Sequence, residues 1–165
     1  MLHRSVSPAA CYPSAVSSGE LLIFLRSHRL AVQASVSAVG RPQAAIVGFA
    51  VSDRFEIVFD TLQTTRKVLN LRHNSQIALV IGGWIDGDER TVQYEGEADE
   101  PSGPELDRLK QVYFAAYPDG PNRQHWPGLI YIRVRPRWIR FSNYNCNPPL
   151  IVEFAADERN VVHSI

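Results

Sequence analysis

The chain has 165 residues, and its 17 Lys and Arg are matched by 17 Asp and Glu, giving a formal net charge of zero. That length suits one domain able to bury roughly 70% of the surface its unfolded form would expose. The charge balance excludes the sequence-independent attraction to nucleic acid or anionic membrane that a basic chain carries, so an anionic ligand must be held locally.

No segment reaches the ~20 apolar residues of a membrane span. Residues 1–16 mix Ser, Ala and Pro without the basic start and apolar run of a signal peptide, and read as a loose arm before a single domain over 17–165. Cys11 and Cys146 belong to no CxxC or Cys/His cluster. They imply neither a disulfide scaffold nor a zinc site, and free thiols in a cytoplasmic protein are the expectation.

In chain order, Ser17-Ser18-Gly19-Glu20 has capping-box spacing, and Leu21, Leu22, Phe24 and Leu25 form an apolar stripe, so a helix is predicted over about 18–28. Residues 30–39 and 43–51 read as strands around a hairpin turn at Gly40-Arg41-Pro42. A turn at Ser52-Asp53-Arg54 leads to a third strand over 55–59. A helix is predicted from Thr64 or Thr65 to residues 72–74, then strands over 76–81 and 90–98 around Asp86-Gly87-Asp88, and a helix from 102 or 103 to about 116. The Asp-Gly-Asp turn lacks the other oxygen ligands of a calcium loop. Strands over 129–134 and 138–141 follow, with an edge strand over 151–154. Antiparallel strands at short spacing with helices at the joints predict a mainly β fold, a small barrel with α-helices.

The stretch Thr64-Thr65-Arg66-Lys67 carries the clearest chemistry. A helix start offers free backbone N–H groups and the positive end of the macrodipole, and Arg66 and Lys67 add full charges suited to a phosphate. A bare N-cap and a solvated cationic face explain the same residues.

Taken together, Gly40-Arg41-Pro42, the strand Ala44-Ala45-Ile46-Val47-Gly48-Phe49, the run Phe59-Asp60-Thr61, then Thr65-Arg66-Lys67 with Asn70-Leu71, and later Glu95-Gly96-Glu97-Ala98 resemble the pyridoxamine 5′-phosphate oxidase-like family over about 28–143. The resemblance implies a six-stranded antiparallel Greek-key split barrel of the FMN-binding type. It also implies a homodimer with the cofactor at the subunit interface, and two-electron chemistry on a small-molecule substrate. Ala45, Ile46, Val47 and Gly48 match the strand that runs along the flavin and its ribityl chain. Asp60 and Thr61 match the pair that touches the ribityl and phosphate region, and Thr65, Arg66 and Lys67 match the phosphate clamp, with Thr replacing Ser. Thr91 stands where the oxidase has a Gln that reaches the flavin, and Trp84 precedes it at a similar spacing to an oxidase Trp.

The chain departs from the oxidase proper at Ala45 and Ala50, where the oxidase has basic residues, and at Ser142, where it has a Trp. The oxidase's closing Arg and His residues have no counterpart in 148–165. Within the same family resemblance, a deazaflavin or haem-type ligand is the alternative to FMN, and a non-catalytic ligand-binding barrel is another.

Arg133, Arg135 and Arg137 alternate on one strand face, as an anion-binding stripe or as a solvated face. Trp138 and Arg140 share a face for stacking or for packing, and His125 with Trp126 fit a ligand-closing loop or a loop anchor. The five histidines show no metal-ligand spacing, and no GxSxG elbow is present.

Overall fold

The computed structural model describes residues 16–83 and 85–156, with the backbone of 162–164. Its elements are α1 (Ser18–Ser27), β1 (Leu30–Val36), β2 (Pro42–Gly48), β3 (Ala50–Val51), β4 (Ile57–Leu62), α2 (Arg66–His73), β5 (Gln76–Gly82), β6 (Arg90–Asp99), α3 (Gly103–Ala116), α4 (Gly120–Arg123), β7 (Leu129–Asn143), β8 (Leu150–Ala156) and β9 (Val162–Ser164).

Local signals set the first elements. Ser17 accepts from the Glu20 N–H at 3.2 Å, and the Glu20 carboxylate accepts from the Ser17 N–H at 2.8 Å, completing the expected capping box. The stripe on α1 then buries Leu21, Phe24 and Leu25, with Phe24 edge-on to Phe141 at 5.3 Å between ring centroids.

All strand pairings are antiparallel, and the order is β2-β1-β5-β6-β7-β4-β3, with β8 joined to β7 and β9 to β8. This mainly β, curled sheet with helices is the expected architecture, carried by nine strands among the described residues rather than six. The strand predicted over 43–51 is interrupted at Phe49, whose N–H bonds to the Arg29 carbonyl at 3.1 Å, so β2 and β3 are separate. The next strand starts at Ile57 instead of Phe55 because Phe55 closes the preceding turn in the left-handed region, φ 61°.

The two strands predicted over 129–134 and 138–141 are one 15-residue strand. Its first half pairs with β4 and its second half with β8, while β6 runs along the other side. Pro136, which argues for a break, sits at a register shift opposite Glu95/Gly96, where a bulge tolerates the missing N–H. Gly96 is required there, since a Cβ would overlap the Arg135 carbonyl oxygen. The segment expected as an edge pairs on both sides.

The core gathers Leu21, Leu25, Phe49, Ile57, Phe59, Leu79, Ile81, Val92, Tyr94, Val134 and Phe154 from α1 and the concave sheet. A second cluster sets Leu109 and Tyr113 of α3 against Val58 and Tyr131. Cys146 is buried and disulfide-bonded, which corrects the expectation of a free thiol there. Cys11, Trp84 and nearly all of the expected N-terminal arm lie outside the described residues. No helix among the described residues is long and apolar enough to cross a membrane.

Candidate functional site

Helix α2 begins where β4 ends, so the chain delivers Thr61, Thr65, Arg66 and Lys67 to one corner. Thr65 is the N-cap residue, yet its side chain does not cap the helix. Its Oγ1 lies 3.3 Å from Thr61 Oγ1, and Lys67 Nζ donates to that same Thr61 oxygen at 3.3 Å. The first turn of α2 contains no acidic residue. Arg66 is exposed, and among the described residues neither Arg66 nor Lys67 has a carboxylate partner within ion-pair distance. Burial disfavours the Lys67 ammonium and lowers its pKa from the ordinary 10.5.

These cations form one wall of a cleft of about 340 Å³, whose other lining residues are Gln33, Ser35, Gln43, Ala44 and Ala45. The volume is in the range of small-molecule sites, about 300–1,000 Å³. Strand register explains the opposite wall: Gln33 faces Ala45 across β1 and β2, and Ser35 faces Gln43. Asn70 reaches over from α2 and donates to Ser35 Oγ at 3.1 Å and Gln43 Oε1 at 3.0 Å. Gln33 is 1% exposed, and among the described residues its Oε1 has no hydrogen-bond partner. Two cations without counter-charge, an uncapped helix start, the Thr61 and Thr65 hydroxyls and an orphaned amide oxygen fit a phosphate-bearing, hydroxyl-rich cofactor such as FMN.

The predicted site residues separate into three groups. Ala45, Arg66 and Lys67 line the cleft, and Thr61 and Thr65 stand behind Lys67, joined to it through the Thr61 hydroxyl. Along β2, Ile46 points outward at 68% exposure, Val47 is in the core, and Gly48 lies against Tyr117, whose Oη would be 2.8 Å from a Cβ at that position. Asp60 and Thr91 lie elsewhere. On β4 successive side chains alternate faces, so Asp60 turns away from Thr61. Its carboxylate accepts from Tyr113 Oη at 2.8 Å and lies 3.5 Å from Arg123, an ion pair by distance without hydrogen-bond geometry, since Asp60 Oδ2 is unpartnered. Burial, then the bond to Asp60, pushes the Tyr113 hydroxyl well above its ordinary pKa. Thr91 sits on β6 between Gly82 and Ser142 and does not line the cleft.

A second cleft, about 380 Å³, lies between α1, β3 and α3 and includes Ala50, His28, Arg26 and Arg29. It is slightly larger but chemically quieter. Arg26 pairs with Asp53, and Arg29 donates to the Ala116 carbonyl. Ala45 and Ala50, the two positions where the oxidase is basic, therefore line different clefts.

The arginine stripe is neutralised. Arg133 binds Asp99 at 2.6 Å and Glu105 at 3.0 Å, Arg135 binds Asp99 at 3.1 Å, and Arg137 binds Glu97 at 2.8 Å. Trp138 donates to Glu153 at 3.3 Å on the neighbouring strand, and Trp126 is 57% exposed. Sequence reading missed Gln33 as a lining residue. The available signal was a large amide at an inward position of an Ala- and Val-rich strand.

The model of the pyridoxamine 5′-phosphate oxidase family matches residues 18–143. A pyridoxine/pyridoxamine 5′-phosphate oxidase of Burkholderia mallei is 39% identical over 126 residues, covering 70% of this chain and 56% of its own length. The chain thus spans little more than half the length of that relative. Among solved structures, a pyridoxamine 5′-phosphate oxidase-related, FMN-binding protein from Nostoc punctiforme superposes with a TM-score of 0.68 at 13% identity, covering 89% of this chain and 93% of that one. A heme-binding protein from Mycobacterium smegmatis has a TM-score of 0.67 at 17% identity, covering 77% and 54%. Both are similar in fold. By the extent of the matched model and the identity to the Burkholderia protein, the chain belongs to the pyridoxamine 5′-phosphate oxidase family.

Proposed function

We propose that this protein is an FMN-binding oxidoreductase of the pyridoxamine 5′-phosphate oxidase type, a homodimer with cofactor at the boundary between copies, acting on a small molecule. The observation that carries this reading is the Arg66 and Lys67 pair, unneutralised beside a cleft with an orphaned amide. The arginine stripe differs, since Arg133, Arg135 and Arg137 each sit on a carboxylate. Arg66 and Lys67 would hold the phosphate, with the Thr65 and Thr61 hydroxyls beside them, and the β2 backbone near Ala45 would flank the ring system. A bound flavin supplies the two-electron redox chemistry. The chain's own contribution is binding, orientation and exclusion of water.

The outward sheet face supports self-association. Val32 pairs with Ile46 on one side and Val80 on the other, and Ala34 likewise with Ala44 and Ala78. Ile46 is 68% exposed and Val80 43%, an apolar band suited to a second copy. A cofactor shared between copies also accounts for Thr91, which is remote from the cleft within one chain.

A haem-type or deazaflavin ligand is the alternative, favoured by the loss of a base at Ala45. Against haem, the described residues that line the cleft include no His, Cys, Met or Tyr to ligate iron. Titrating purified protein with FMN, riboflavin and haemin tests the reading. FMN should bind saturably and riboflavin, which lacks the phosphate, roughly a hundred-fold more weakly. Equal affinity for the two flavins would overturn the clamp, and preferential uptake of haemin would favour the alternative.

A further inference from the structure

We infer that Gln33 is a ligand-reading residue whose side-chain carboxamide hydrogen-bonds a hydroxyl or imide group of the phosphorylated cofactor. This rests on the FMN reading and adds to it a contact on the wall opposite the clamp.

Three observations lead there. Gln33 is 1% exposed on an inward position of β1, between core-facing Ala31 and Ser35, where an apolar side chain would be expected. Of the amides and hydroxyl on this wall, Ser35 and Gln43 are both engaged by Asn70, whereas Gln33 Oε1 is buried with no partner among the described residues. Finally, Gln33 lines the same cleft as Arg66 and Lys67, directly across from Ala45. A buried amide oxygen without a donor is costly. The cost is recovered when a bound molecule presents an O–H or N–H to it, and a carboxamide can exchange its acceptor and donor ends to suit. Because Ala45 offers no polar side chain and Gln43 is already held by Asn70, Gln33 is the group on this wall that can supply direction there. The ligand chemistry selected is a phosphate at one end and a hydrogen-bonding polyol or imide within reach of β1.

Gln33→Met keeps length and approximate volume while removing both polar atoms. FMN affinity, read by fluorescence quenching, should fall roughly ten-fold. The ligand-free variant should melt about 2–4 °C higher than the parent, because an unsatisfied buried group is gone. Stabilisation by inorganic phosphate, which needs only the clamp, should be unchanged. Unaltered FMN affinity in Gln33→Met, with the parent binding FMN normally, would overturn this inference and leave the clamp standing. A lower melting temperature of the ligand-free variant would mark Gln33 as a structural residue and overturn it as well. A parent protein that binds no FMN would overturn both the cofactor reading and the role of Gln33.

Discussion

Lys67 Nζ sits 3.3 Å from Thr61 Oγ1, a hydroxyl rather than a carboxylate, so its charge is partly desolvated and uncompensated. A lysine held this way is poised for an anion. Charge-assisted hydrogen bonds are worth about 1.5–3 kcal/mol each. Lys67→Ala should therefore raise the Kd for FMN roughly ten- to hundred-fold, and the Arg66→Ala, Lys67→Ala double variant should not retain FMN through gel filtration. Unchanged affinity in a fluorescence titration of the double variant would remove the clamp.

The same lysine gives a pH dependence. Its pKa is lowered from 10.5 by burial, and a phosphate binds the protonated form. Affinity should be full below the lowered pKa and fall as pH rises through it, sooner than for an ordinary lysine. Lys67→Arg, whose guanidinium stays charged, should keep its affinity to higher pH. A titration series in which parent and Lys67→Arg respond identically would contradict this.

Arg133 and Arg137 occupy the same strand face with different consequences. Arg133 is 13% exposed and within 3.6 Å of Glu56, itself 3% exposed, as well as paired with Asp99 and Glu105. Arg133→Ala leaves the buried Glu56 and the half-buried Asp99 with fewer partners and should cost about 2–4 kcal/mol in urea unfolding. Arg137 is 59% exposed with one partner, and Arg137→Ala should cost less than about 1 kcal/mol. Equal losses would show that burial does not set these contributions.

Acid should weaken this network. Burial pushes the Asp99 carboxyl up, but the hydrogen bonds and charges of Arg133 and Arg135 outweigh it and hold its pKa below the ordinary 3.8. A folded pKa below the unfolded one means the stabilisation is complete above pH 3.8 and is lost as pH falls through the folded value. Asp99→Asn should lower the urea midpoint at neutral pH and flatten its decline toward strongly acid pH. A parallel decline in parent and variant would refute the assignment.

Much of this was legible in the sequence, because local signals agreed with the fold. The Ser17/Glu20 box, the Gly40-Arg41-Pro42 hairpin and the helix start at Thr65 each depend on short-range chemistry. What was not legible depends on pairing. The length of β7 was hidden because Pro136 reads as a break until a bulge opposite Gly96 is known. The separation of Asp60 from Thr61 follows from strand alternation, which a motif match ignores. The arginine stripe could not be resolved from a list of cations, because Asp99 and Glu105 reach it only in the folded sheet. Gln33 was overlooked for the same reason: the cleft it shares with Ala45, Arg66 and Lys67 forms only in the folded chain.

The corner formed by β4 and α2 is the proposed seat of a flavin phosphate. The most direct measurement is the visible absorption spectrum of the freshly purified protein, before and after adding FMN and removing the excess on a desalting column. Oxidised-flavin bands should stay with the protein at about one flavin per chain, and disappear in the Arg66→Ala, Lys67→Ala variant. A colourless protein that takes up no FMN, or a variant that retains it fully, would rule out flavin-phosphate binding at this corner.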